Sequence, residues 1–448
     1  MKHLAAILVS TSFALLLTGC PLTDHYQLRQ EESLGAGAVG AQAGVGFADA
    51  GGAMVSGGSG GSGDQTAGNG TGGSGCAKVC SVNRACVADS CSGGWVPMSA
   101  PPMKLAARSK AASVAMGKSV FIWGGLDNDG LALDNGAIYD PTLDTWKILP
   151  TEPGTPSKRI MATAVWTGAG SNKVIVYGGT DASGGMVFRD GAIYDATENS
   201  WLPLPPSMTT SKRSAPFGYW DGTRAVFFGG LNATLSPAPF ADRFDLKSWS
   251  VSTTNGDPGL LGFSAIAFDG TVMYLQGGVI NGIRQDKVLA YTSSTDTWAS
   301  LNKSLSVRTG AFGAWDGTHF VVWGGQDDNG LRDNGQLMSG MTWSDMTPSD
   351  GVLSARRIGF RRSGWAFQTE PGVVAMIGGQ TSISGNGDTL ATDGASYSAQ
   401  SGQWTAIPDW PSLETHEYGI GVWTGEEFVV WGGRNQNVST LTGERWAP

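Results

Sequence analysis

A glycine doublet recurs seven times along the chain, each time after a short apolar run. The copies are Phe121-Ile122-Trp123-Gly124-Gly125, Val174-Ile175-Val176-Tyr177-Gly178-Gly179, Val226-Phe227-Phe228-Gly229-Gly230, Met273-Tyr274-Leu275-Gln276-Gly277-Gly278, Val321-Val322-Trp323-Gly324-Gly325, Val374-Ala375-Met376-Ile377-Gly378-Gly379 and Val429-Val430-Trp431-Gly432-Gly433. The first glycines lie 54, 51, 48, 47, 54 and 54 residues apart. A fixed period near fifty residues is the mark of a repeat architecture, in which one supersecondary unit stacks on the next. It excludes a chain built from unrelated domains over this span.

Each unit has the same grammar. A small or apolar strand leads into a turn such as Asp221-Gly222, Asp269-Gly270 or Asp316-Gly317, which suit hairpins that need positive φ. The doublet strand follows, then a polar loop, then a strand ending at Tyr139, Tyr194, Phe244, Tyr291 or Tyr397. A short turn leads to Trp146, Trp201, Trp249, Trp298, Trp343 or Trp404. The pattern predicts four short strands per unit, rich in β-branched and aromatic residues between turn signals. Composition agrees, because 68 of 448 residues are Gly and only 15% are charged, which disfavours long helices.

Gly-Gly, then Tyr, then Trp, at about fifty residues per unit, resembles the kelch repeat. The resemblance covers residues 95–448 and implies an all-β, seven-bladed propeller with four strands per blade. Blade 5 departs from the pattern, with Met338 at the Tyr position. A lone blade cannot bury both of its faces, so the repeated Tyr and Trp are read as core between blades. Gly443-Glu444-Arg445-Trp446 aligns with Gly136-Ala137-Ile138-Tyr139, so the last blade lacks a fourth strand. Residues 95–98, Trp-Val-Pro-Met, look like Trp146-Lys147-Ile148-Leu149 and are predicted to supply it.

The N-terminus reads as an address. A basic start, an apolar run from Leu4 to Leu17, and Leu17-Thr18-Gly19-Cys20 resemble a bacterial lipoprotein signal, cleaved after residue 19 with Cys20 lipidated. Pro21 in place of Asp favours the outer membrane of a bacterial cell envelope. Residues 20–75 form the lipidated end and a tether, since seventeen of the 41 residues from 35 to 75 are Gly, too few of them apolar to offset ordering entropy. Residues 76–94 hold Cys76, Cys80, Cys86 and Cys91, read as two disulfides of open connectivity; the C-x₃-C-x₅-C-x₄-C spacing lacks the paired knuckles of a zinc site.

A basic residue precedes the first strand of most blades: Arg108, Arg159, Arg213, Arg308 and Arg357, with Leu261 in blade 4 and His416 in blade 7. Arginines here resemble those lining the pocket mouth of kelch domains, and they form the candidate ligand-binding face. The plain alternative is that each pairs with nearby Asp or loop carbonyls. Asp127, Asp129, Asp327 and Asp328 could offer oxygens to Ca²⁺, but Asp-Asn-Gly is ordinary turn chemistry and no EF-hand spacing exists, so neither a metal nor a cofactor is expected. With His319 and His416 alone in the repeats and no Cys there, a copper-radical site cannot be assembled. No phosphate loop, HExxH or Ser-His-Asp arrangement is present. A net charge of −9 argues against nucleic acid.

The reading is a monomeric, lipid-anchored envelope protein that binds a protein or glycan, with enzymatic activity left open. The alternative is a carbohydrate-processing enzyme of mutarotase or epimerase type, using His416 and Glu417 in the central pocket. Lipidation has a direct check: cells fed labelled palmitate should label the wild-type protein, and Cys20→Ser should abolish the label.

Overall fold

The computed structural model describes residues 86–87, 90–91 and 93–448, apart from 235, 254–260, 263, 281–282, 304–306, 348–363, 380–390, 413–415, 417 and 436–437. The signal peptide, Cys20, the tether, Cys76, Cys80, Arg357 and Glu417 lie outside the described residues. Cys86–Val87 and Ser90–Cys91 form a two-stranded hairpin in which the backbones of Cys86 and Cys91 are opposed.

Seven four-stranded antiparallel sheets make up the repeats, and no helix occurs among the described residues. Blade 1 runs Ala112–Met116, Ser119–Trp123, Gly136–Asp140 and Thr145–Ile148 in simple up-and-down order. The later blades begin at Thr163–Trp166, Phe217–Trp220, Ala265–Phe268, Phe312–Trp315, Trp365–Glu370 and Ile420–Trp423. First strands pack side by side, blade 1 on 2, 2 on 3, 4 on 5, 5 on 6 and 7 on 1, which bends the row of sheets into a closed ring.

The ring has no single core. Its buried apolar residues separate into seven main clusters, one for each seam between neighbouring blades. The doublet strand is buried on both faces; Val120, Phe121, Ile122 and Trp123 are all inaccessible, and so are Val174 to Tyr177. That is why these runs read as continuous apolar stretches rather than as alternation.

The repeated aromatics have separate jobs. Tyr139, Tyr194 and Tyr291 donate their hydroxyls to Asp144, Asn199 and Asp296, five residues on, at 2.6, 2.7 and 2.9 Å. Each acceptor sits at positive φ in the turn to the fourth strand, where Asp and Asn are the side chains best tolerated. The Trp that follows crosses the seam. The Nε1 groups of Trp146, Trp201, Trp249, Trp343 and Trp404 donate to the carbonyls of Ser99, Pro150, Pro205, Asn302 and Thr347, each two residues beyond the last strand of the preceding blade. An indole that buries its ring and satisfies its N–H stitches one blade to the next.

Closure follows the predicted splice. Gly94–Pro97 pairs with Gly443–Ala447 as the outer strand of blade 7, with Trp95 opposite Trp446 as Trp146 is opposite Tyr139. Trp95 Nε1 completes the stitching on the Pro408 carbonyl at 2.8 Å. The outer strand of the last blade therefore comes from the start of the domain, so the two chain ends hold each other and Gly443–Ala447 is paired on both sides. Deleting residues 95–103 should lower the melting temperature by well over the roughly 2–4 °C that one kcal/mol moves in a domain of moderate size, measured by circular dichroism.

Candidate functional site

In an up-and-down blade the loops from strand two to three and the links between blades share one end. That end is called the crown here. The basic residues predicted as a binding face sit at the crown end of each first strand, but their side chains point inward. Arg108, Arg159, Arg213 and Arg308 are 1%, 1%, 0% and 1% exposed.

Each guanidinium donates to the carbonyl of the first doublet glycine in its own blade. Nη1 of Arg108, Arg159, Arg213 and Arg308 reaches Gly124, Gly178, Gly229 and Gly324 at 3.0, 3.0, 2.8 and 2.8 Å. The remaining donors go to the loop that leads into the third strand, such as Asn135, the Asp190 carboxylate (2.9 Å), the Pro239 and Phe240 carbonyls, and Asn334. The backbone carbonyl of the same arginine points the other way. It accepts from the second glycine of the preceding blade: Gly125 onto Arg159, Gly179 onto Arg213, Gly278 onto Arg308 and Gly433 onto Arg108. One residue thus ties two blades.

This geometry explains the doublet. At Gly178, φ is +72°, and a Cβ would stand 2.6 Å from the Arg213 carbonyl oxygen. A side chain there would be strained and would push the neighbouring blade away. Two residues after the basic slot the chain turns through positive φ again, at Lys110, Met161, Ala215 and Tyr418. Non-glycine residues in that conformation cost on the order of 1–3 kcal/mol each. They are held by a second relay, in which Lys110 N–H donates to Tyr418, Met161 to Lys110 and Ala215 to Met161, at 2.8, 2.9 and 2.8 Å.

His416 takes the same place in blade 7. Its Nδ1 lies 2.6 Å from the Gly432 carbonyl oxygen, which only accepts, so Nδ1 carries a proton. Nε2 lies 2.8 Å from Glu444 Oε2, and the ring is inaccessible. Both nitrogens are therefore engaged inside the blade. In blade 4, where Leu261 occupies the slot, the Ser264 hydroxyl donates to the Gly277 carbonyl at 3.1 Å. Arg108, Arg159, Arg213 and His416 direct their side-chain nitrogens to the protein's own carbonyls and side chains, and Arg308 does so through Nη1 and Nη2. As outward-facing grips for a ligand the four described arginines and His416 are out of reach.

Burial is felt by the charges. Desolvation pulls the Arg108 and Arg308 guanidinium pKa down to about 10, with Asp127 opposing the shift at Arg108. Arg332 adds to it at Arg308, where Asp327 opposes it. Arg213 is compensated directly, since Nε donates to Asp242 Oδ2 at 2.6 Å with both side chains inaccessible.

The acidic loops form the tips of the crown hairpins. Asp127 Oδ1 accepts the N–H groups of Asp129 and Leu131; Asp181 Oδ1 accepts that of Met186; Asp327 Oδ1 accepts that of Asn329. These are side-chain-capped turns. Among the described residues no group of three or more His, Cys, Asp or Glu could hold a metal ion. Neighbouring hairpins are joined laterally: Asn128 exchanges hydrogen bonds with the Ser439 backbone, and Arg284 pairs with Asp328 at 2.7 Å.

One feature of these tips escaped the sequence reading. The residue just before the bridge that closes the hairpin is large, apolar and exposed in four blades: Leu131 58%, Met186 57%, Ile283 69% and Val438 61%. Blades 3 and 5 have Ser236 and Gly330 there. Hairpin lengths differ, so the four do not align by distance from the doublet; only the bridge brings them into register.

The family model of the KLHDC2/KLHL20/DRC7 kelch-repeats domain matches residues 110–313. The ring is a kelch-repeat β-propeller. No curated protein matches the sequence. Among solved structures, that of YjhT covers 69% of this chain and 99% of its own at 18% identity, with a TM-score of 0.49.

The buried arginine of the kelch blade has a measurable weight. Arg213→Ala leaves Asp242 charged and buried, and should cost roughly 3–5 kcal/mol in urea unfolding. Asp242→Ala in the same chain should recover part of that loss.

Proposed function

We propose that this protein is a lipid-anchored component of a bacterial cell envelope that binds a protein partner through the crown of its propeller. The observation that carries the reading is an asymmetry of exposed apolar side chains. Of ten large exposed apolar residues among the described residues, seven belong to the crown: Met103 and Met208 on links, and Leu131, Met186, Ile283, Val438 and Leu441 on hairpins. Leu143 and Met341 lie on the turns of the opposite face, and Leu202 on an outer strand. Single exposed apolar residues are normal on any surface, but four in one repeat slot on one face fit an interaction site.

The placement of the ends fits an anchor on the other side. Gly94–Pro97 runs toward the crown, because the link that follows it enters the first strand of blade 1. Its start, beside Pro448, is therefore at the opposite face, where a tether carrying Cys20 would join. A protein held in this way directs its crown away from the membrane it is attached to.

Photo-crosslinking residues placed at 131, 186, 143 and 341 in the full chain, and irradiated in the native envelope, test the proposal. Adducts of one defined mass are expected from 131 and 186 and not from 143 and 341. Adducts confined to 143 and 341, or none from any site, would overturn it.

A further inference from the structure

Two lateral ties at the crown are strong polar bonds, Asn128 with the Ser439 backbone and Arg284 with Asp328. A third runs through a sulfur. Arg189, on the hairpin of blade 2, donates from Nη2 to Met208 Sδ at 3.8 Å, and Met208 belongs to the link that leads into blade 3. A thioether is a weak acceptor. Among the described residues the Arg189 guanidinium makes this hydrogen bond and no ion pair.

Both sides of the tie are held firmly at their bases. The Phe188 carbonyl accepts the Arg213 N–H at 3.0 Å, and the Arg159 guanidinium lies 4.4 Å from the centre of the Phe188 ring. On the link, the Pro205 carbonyl accepts from the Trp249 indole at 2.9 Å, and Asp242 accepts the Ser211 N–H at 3.2 Å. Between those anchors Ser207 Oγ accepts the N–H groups of Thr209 and Thr210, a side-chain-capped turn with Met208 inside it. Met208 is 85% exposed. Arg189 therefore starts from a fixed hairpin and meets a turn that this weak bond fastens sideways.

An exposed thioether is open to two-electron oxidants such as hydrogen peroxide. The sulfur takes one peroxide oxygen: an S–O bond forms, the O–O bond breaks, and the other oxygen leaves as water with both protons. Sulfur loses two electrons and the peroxide gains them. The sulfoxide is polar and accepts well where the thioether accepted poorly. Set on the Arg189 side of the sulfur, its oxygen falls within the ordinary N–H···O range of about 2.7–3.2 Å from Nη2. A bond from a guanidinium is charge-assisted and stronger than a neutral one. The fold tolerates such an oxidant, because Met161, Met273, Met338 and Met376 are buried. Met103, Met186 and Met341 are exposed like Met208, but among the described residues no arginine donates to their sulfur.

We propose that Met208 is an oxidation site whose sulfoxide, held by Arg189, latches the blade 2 hairpin to the link before blade 3. The latch is reversible, since methionine sulfoxide reductases return the thioether. It goes beyond partner binding and acts within the protein itself, on the hairpin that also carries Met186.

Graded hydrogen peroxide on the purified full chain, followed by peptide mass mapping and amide hydrogen exchange, tests the latch without any partner. One added oxygen is expected on Met103, Met186, Met208 and Met341, and none on the buried methionines. Exchange of the amides in 204–212 should then slow several-fold, and should recover after reductases for both sulfoxide epimers with dithiothreitol. Arg189→Ala should still gain oxygen at Met208 and show no slowing. Met208→Leu should show none either, although Met103 and Met186 are oxidised. Exchange that is unchanged or faster in the oxidised wild type, slowing that persists in Arg189→Ala, or a Met208 that stays reduced while Met341 is oxidised, would overturn the proposal.

Discussion

A single arginine at the start of the first strand ties each of blades 1, 2, 3 and 5 to the blade before it. Its guanidinium, like the imidazole of His416 in blade 7, holds the first doublet glycine of its own blade; the backbone carbonyl of the arginine receives the second glycine of the blade before. The bond forces the glycines into positive φ, leaves no room for a Cβ, and lets first strands approach at the axis. Around it the ring divides its work. Near the axis the seams are held by backbone hydrogen bonds from doublet glycines to arginine carbonyls, and further out by apolar clusters and indoles bonded across to the preceding link.

That division bears on function. A charge buried at the centre of a fold is expensive unless every donor is answered, and it stays only where geometry over-determines it. The arginines are therefore poor grips for a partner. What remains for recognition is the set of hairpins beyond them, whose tips are shaped by Asp127, Asp181 and Asp327 and whose apolar side chains face outward.

Much of the fold was legible because it repeats. Seven doublets, the Tyr and Trp at steady offsets, and the likeness of residues 95–98 to 146–149 were enough for blade number, strand number and the closing strand. Local chemistry repeated along a chain is readable without knowing where the copies meet. The site was less legible. Arg159 looks the same in sequence whether it faces a ligand or the Gly178 carbonyl, because the direction of a side chain depends on a neighbour some twenty residues away. The apolar tips were hidden for another reason, since hairpins of unequal length place Leu131 and Met186 at other distances from their doublets than Ile283 and Val438.

By itself the sequence determined a ring of seven four-stranded blades, since a period near fifty residues with four strand signals has few other ways to bury both faces of each unit. It also determined where the ring opens and closes, because the missing strand and its replacement carry the same Trp. Only the tertiary structure decided which way the basic residues point, and which polar groups meet across a seam. Those outcomes depend on pairs such as Tyr177 and Asp242, set in different blades and brought together when the sheets stack. No residue announces such a neighbour, and the energy of a buried charge is decided by the neighbour rather than by the residue alone.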